Sequence, residues 1–139
     1  PDLHAEFCQP YDKTMHEALH RQGFLVTYHT CGGTYAIEQH IIDNGADASE
    51  TLAPLSVGGN QEPWEFAEKN AGSIAMIGGL DQFNTLTSGS PELIQKTVEE
   101  LFTRVGPNGG YVCSCSDHFF ETPVDNLRIF ADAAKACIY

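Results

Sequence analysis

His29 and Cys31 close the apolar run Phe24-Leu25-Val26-Thr27-Tyr28 and are followed at once by Gly32-Gly33. On a β-strand, alternate residues point to the same side, so the imidazole and the thiol would be presented together. Two soft ligands that close can form half of a zinc site, and the glycines allow a sharp turn behind them. A second group of such side chains lies near the C-terminus, at Cys113, Cys115, Asp117 and His118. Cys113 and Cys115 share a face by the same two-residue period, and a thiolate from there would supply a third ligand. Three protein ligands leave an open position of the catalytic kind. Cys-Ser-Cys is too tight for both sulfurs to bind, so one of the two is expected to do so. Asp81, after Gly78-Gly79, stands where it would orient a histidine, bind substrate or cap the next turn.

The elements that position these groups follow from the hydrophobic pattern. Leu3, Phe7, Tyr11, Met15 and Leu19 recur at helical spacing, with Gly23 as the stop. Phe24 to Thr30 reads as a strand, and Thr34 to Asn44 as a helix with Ile37 and Ile41 inward. Ser49 to Ser56 is a short strand interrupted by Pro54, and Glu62 to Asn70 a helix carrying Trp64 and Phe66. Ser73 to Ile77 is an apolar strand. Ser90 caps a helix with Pro91 in its first turn and a stripe of Leu93, Ile94, Val98, Leu101, Phe102 and Val105. Gly110 to Ser114 is a fourth strand, and Thr122-Pro123 opens a last helix with Leu127, Phe130, Ala131 and Ala134 on one side. Strands alternating with helices imply parallel pairing through right-handed crossovers. The fold class is α/β, with about four parallel strands forming one domain over residues 1–139. Four strand–helix units fall short of the ~250 residues of a closed (β/α)8 barrel. The expectation is half a barrel, completed by a missing N-terminal half or by a second copy. The working residues of such folds gather at the C-terminal strand ends. Here those ends carry His29 and Cys31, Ser56, Asp81, and then Cys113, Cys115, Asp117 and His118.

Bulk properties narrow the function classes. A formal net charge of −12 and a pI near 4.6 argue against a nucleic-acid partner, which needs a basic face. No apolar stretch approaches the ~20 residues that span a bilayer, and no secretory signal is visible. Five cysteines, an odd number without scaffold spacing, fit a reducing cytoplasm. Cys8 and Cys137 fall in helical patterns as ordinary thiols. His4, His16, His20 and His40 are expected to face solvent from their helices. Gly32-Gly33 lacks the full dinucleotide spacing, so no nucleotide site is claimed. The first residue is Pro rather than Met, which reads as a processed chain or a piece of a longer one.

The His29-Thr30-Cys31-Gly32 strand end, the segment Met76 to Asp81, and Gly109-Gly110-Tyr111 followed by Thr122 to Leu127 together resemble the uroporphyrinogen decarboxylase superfamily. The likeness covers essentially the whole chain and corresponds to the C-terminal half of that superfamily's (β/α)8 barrel. Some branches decarboxylate uroporphyrinogen without a cofactor, in porphyrin biosynthesis. Others are zinc methyltransferases that move methyl groups between a corrinoid protein and a thiol. The His-x-Cys pair is characteristic of the zinc branch. The resemblance therefore implies zinc on His29 and Cys31, a corrinoid on a partner protein, and a methyl-transfer reaction. Six residues beyond Tyr111, methyltransferases usually show cysteine and decarboxylases histidine. This chain has Asp117 there, with His118 next and Cys115 two before, which leaves the third ligand open among Cys113, Cys115 and Asp117. The alternatives are cofactor-free decarboxylation, with Asp81 and His118 handling carboxylates and protons of a small-molecule substrate, and a non-catalytic half-barrel that binds a partner.

Overall fold

A computed structural model describes residues 1–138 of the 139. Helices α1 (Asp2–Phe7) and α2 (Gln9–His20) lead into strand β1 (Thr27–His29), then α3 (Glu38–Asp43) and β2 (Ala48–Thr51). Helix α4 (Pro63–Asn70), β3 (Ala75–Leu80), α5 (Pro91–Val105), β4 (Tyr111–Cys115) and α6 (Val124–Ala136) complete the chain. The four strands form one parallel sheet in the sequential order β1-β2-β3-β4. Sequential parallel strands, each followed by a helical segment, are the repeat of a (β/α)8 barrel, and this chain provides half of one.

Register fixes which side chains share a face. Thr27 pairs with Ala48 and Ala48 with Ala75; His29 pairs with Glu50, Glu50 with Ile77, and Ile77 with Val112. Those residues form the concave face. The alternate set, Tyr28, Ser49, Met76, Tyr111, Cys113 and Cys115, turns toward the helices. The core lies in that helix-facing layer, where Met76, Leu80 and Cys115 pack with Ile41, Phe66, Val98, Leu101 and Val105.

Local chemistry explains most boundaries. Helix α4 begins with a reciprocal capping box, the Glu62 carboxylate accepting from the third-residue N–H and Glu65 accepting from Glu62 N at 2.7 Å. In α5, Ser90 Oγ accepts from Leu93 N at 3.3 Å, with Pro91 in the first turn. Ile94, Val98, Leu101 and Val105 are the buried face of α5, as its periodicity predicts.

The N-terminal segment departs from expectation. The single apolar stripe is split at Cys8 into two helices, with Pro10 in the first turn of α2, where its missing N–H costs nothing. Leu3, Phe7, Tyr11 and Met15 point outward, Leu3 being 72% and Tyr11 69% exposed. The inner face of α2 carries Asp12, His16 and Leu19, two of them polar. The four helix histidines do not all face solvent. His16 is buried, with its ring nitrogen Nδ1 3.0 Å from Asn44 O. His4 stacks on His40 with ring centroids 5.4 Å apart and meets Tyr28 Oη at 3.1 Å, while the Tyr28 hydroxyl donates to Asp12. Of the four, His20 stays exposed, 2.8 Å from the Asp47 carboxylate that also accepts from Val26 N.

Strand ends shift as well. Phe24 and Leu25 lie exposed before β1, which starts only at Thr27. Gly78 and Gly79 belong inside β3 rather than after it. Gly78 has φ +120°, and a Cβ there would meet the Thr51 carbonyl oxygen at 2.1 Å. This close approach sets the spacing of β2 and β3 at the mouth. Gly78→Ala is expected to lose about 3 kcal/mol or more of stability by denaturant titration, because a backbone carbonyl cannot rotate away as a side chain would.

Candidate functional site

The mouth of the half-barrel is a cavity of about 330 Å3 bordered by His29, Glu50, Thr51, Asp117, His118 and Phe119, among others. A connected chain of polar groups crosses it. Glu50 Oε2 lies 3.0 Å from His29 Nδ1 and accepts that N–H. His29 Nε2 is thereby left with its lone pair, and it sits 3.3 Å from Cys31 Sγ. On the far side, Cys31 Sγ is 3.8 Å from Asp117 Oδ2. The other carboxylate oxygen of Asp117 accepts from His118 N at 2.7 Å and lies 2.6 Å from His118 Nδ1. The His118 ring stacks on Phe120 at 5.3 Å. Two of the three groups are thus aimed by a neighbour, Glu50 turning His29 and His118 turning Asp117.

The charges follow. The hydrogen bonds from the His118 backbone and ring hold the Asp117 carboxyl below its ordinary range. Partial desolvation, with the Asp117 and Glu50 carboxylates beside it, pushes the Cys31 thiol up. In this negative setting the sulfur keeps its proton unless a cation is present.

The residues fit zinc in type, an imidazole nitrogen, a sulfur and a carboxylate oxygen. Two successive separations, 3.3 Å from Nε2 to Sγ and 3.8 Å from Sγ to Oδ2, lie near the about 3.5 Å between neighbouring ligand atoms on tetrahedral zinc. Among the described residues no three His, Cys, Asp or Glu side chains close around one point as a metal cage. The donors form an open chain, each in reach of the next.

Cys115 borders the same mouth cavity, but neither Cys113 nor Cys115 belongs to the polar chain that links His29, Cys31 and Asp117. Both lie on the helix-facing side of β4: Cys113 borders a space with Val98, Phe102, Ala134 and Cys137, and Cys115 is 7% exposed within the core. Burial, with Cys113 adding, pushes the Cys115 thiol up to about 11. The two cysteines share a face, as the period requires, but it is the other face from His29.

Of the three roles open to Asp81, the structure shows the cap of the next turn. It is buried at the head of a π-helical turn, Gln82–Thr87, and accepts from Phe83 N, Asn84 N, Asn84 Nδ2 and Ser56 Oγ at 2.7–2.8 Å. Four donors take up a carboxylate's acceptor sites, so Asp81 caps the turn and ties in the loop after β2. Burial pushes its carboxyl up, but the hydrogen bonds from Ser56 and Asn84 and from two backbone N–H groups outweigh it and hold it below the ordinary range.

Glu50, which the sequence motifs do not single out, also borders this mouth and bonds His29. A charged residue in the middle of a short strand was its available signal, and its partner emerges only once β1 and β2 are paired.

The architecture and mouth define a parallel α/β half-barrel with its polar groups at the C-terminal strand ends. The profile of the family described as uroporphyrinogen decarboxylase (URO-D) matches residues 1–137, and the chain belongs to that family. Among curated proteins, no relative matches it.

Because the folded-state value of Asp81 is lowered, its stabilisation is present above the unfolded carboxyl value of 3.8 and is lost as pH falls through the folded one. Asp81→Ala is expected to cost about 2 kcal/mol at pH 7, with the difference from the parent shrinking in acid, as read from denaturation curves at several pH values.

Proposed function

We propose that this chain carries the zinc-binding part of a uroporphyrinogen decarboxylase-family methyltransferase, which moves a methyl group between a corrinoid protein and a thiol. The observation that carries the proposal is the orientation of His29: Glu50 occupies Nδ1, so the Nε2 lone pair faces Cys31 Sγ at 3.3 Å. A carboxylate behind a histidine is the usual support of a metal-ligating imidazole. His29, Cys31 and Asp117 would hold the ion, with Glu50 and His118 orienting two of them. Zinc would let an incoming thiol bind as thiolate at neutral pH, the form able to attack a methyl group on a corrinoid carried by a partner protein. The same negative surroundings that keep the Cys31 proton in place disfavour Cys31 as a free nucleophile and favour a divalent cation.

Cofactor-free decarboxylation has less support, because Asp81 is used as a cap and only His118 of that expected pair lies at the mouth. The remaining half of the barrel, supplied by other sequence or another copy, would close the mouth around the substrate.

Metal analysis tests the proposal. About one zinc per chain is expected in the intact protein, with loss of zinc in Cys31→Ser and loss of thiol methylation in the presence of chelator. Metal-free protein that turns over uroporphyrinogen in chelator refutes it. Asp117→Asn is expected to weaken zinc binding, and Cys115→Ser to leave it unchanged, which separates the two candidates for the third ligand.

A further inference from the structure

Thr51 and Leu52, the residues that end β2, have φ +100° and +41°. Positive φ at a β-branched residue is a costly conformation that persists only where its surroundings impose it. Thr51 is also 2% exposed, so no solvent contact compensates for it. Two contacts account for the conformation. Gly78 on β3 leaves room for the Thr51 carbonyl, at a place where any Cβ would stand 2.1 Å from that oxygen. The Thr51 hydroxyl donates to the Thr30 carbonyl at 2.6 Å.

Thr30 is the residue between His29 and Cys31. The β1–β2 ladder stops at the His29–Glu50 pair, so beyond that point no ladder register holds the chain. On a regular strand, side chains two residues apart start from Cα atoms about 6.6 Å apart and run side by side. To bring Sγ within 3.3 Å of Nε2, the chain after His29 must leave the strand and be held where it turns. The Thr51 hydroxyl supplies that hold from a buried position.

We propose that Thr51 is a positioning residue for the His29–Cys31 pair: its strained backbone carries the hydroxyl onto Thr30 O, and this bond sets the separation of the imidazole and the thiol. The proposal rests on reading His29 and Cys31 as groups that act together, and it gives Thr51 a role in the affinity of that pair for zinc. Gly78 belongs to the same device, because only a glycine there admits the Thr51 carbonyl.

The test compares three variants in the intact protein. Thr51→Val keeps the shape and the backbone strain and removes only the hydroxyl; Thr51→Ser keeps the hydroxyl; Thr51→Gly removes both strain and hydroxyl and covers the case in which Val does not fold. Zinc affinity is expected to fall about tenfold or more in Val and in Gly, and to return in Ser. In parallel, alkylation of Cys31 is followed on its own peptide by mass spectrometry, with chelator present. It is expected to rise severalfold in Val and in Gly as the thiol moves away from the Asp117 and Glu50 charges, and to return to the parent rate in Ser. Equal alkylation in parent, Val and Gly overturns the proposal, as does a Ser variant that behaves like Val. A parent that binds no zinc but shows the alkylation pattern refutes the zinc reading while upholding the role of Thr51.

Discussion

Parallel pairing in register across β1 to β4 is the constraint on which the rest of this molecule depends. Once Thr27 lies beside Ala48, and Met76 beside Tyr111, every other strand residue is committed to the concave face or to the helices. His29 and Glu50 are brought together by that register, although 21 residues separate them in the chain. The same register sends Met76, Leu80, Tyr111 and Cys115 into the core, so the layer that stabilises the sheet and the layer that carries chemistry are two sides of one ladder. A slip of one residue in β4 would turn Cys113 and Cys115 toward the mouth and leave the core without them.

The two carboxylates singled out by their position at strand ends, Asp81 and Asp117, have been put to opposite uses by their partners. Asp81 is enclosed by four donors, two of them backbone N–H groups at the start of a helical turn, so it is rigid and fully occupied. Asp117 spends one oxygen on His118 and directs the other toward a sulfur 3.8 Å away. Both carboxyls are held below their ordinary range, yet only the second turns an oxygen to the mouth, where it accepts a long hydrogen bond from the Cys31 thiol. A lowered pKa therefore marks good hydrogen bonding in either case, and the two carboxylates differ in where their oxygens point.

Where sequence reasoning succeeded, it read short-range pattern. The α5 stripe with its Ser90–Pro91 start and the alternation of strand and helix depend on neighbours within one element. It failed where a partner distant in sequence decides. The period places Cys113 and Cys115 on one face, but which face follows from Gly78 and Leu80 across the ladder. Leu3, Phe7, Tyr11 and Met15 form a regular stripe, yet the surface of α2 that packs is the one carrying His16, because Asn44 and Tyr28 offer it a hydrogen bond and an aromatic edge. Apolar residues at helical spacing identify a helix. They do not by themselves say which side faces inward.

The distribution of positive charge gives the mouth its character. Seven Lys and Arg stand against nineteen Asp and Glu, and several of the cations are engaged elsewhere. Lys69 bonds the buried Glu38 and lies over the Tyr35 ring; Arg104 stacks on Trp64 and reaches Glu100; Arg128 pairs with Asp125 on α6. Among the described residues, no Lys or Arg borders the cavity that holds His29, Glu50 and Asp117. An anionic substrate group entering there would meet two carboxylates without a guanidinium to receive it, at an energetic cost that grows as water is excluded. A cation would meet the reverse, with donors already aimed at it by Glu50 and His118. The electrostatic field of the mouth and the direction of its lone pairs thus favour the same occupant. For a site assembled from β1, β2 and the segment after β4, that agreement carries more weight than the identity of any one side chain.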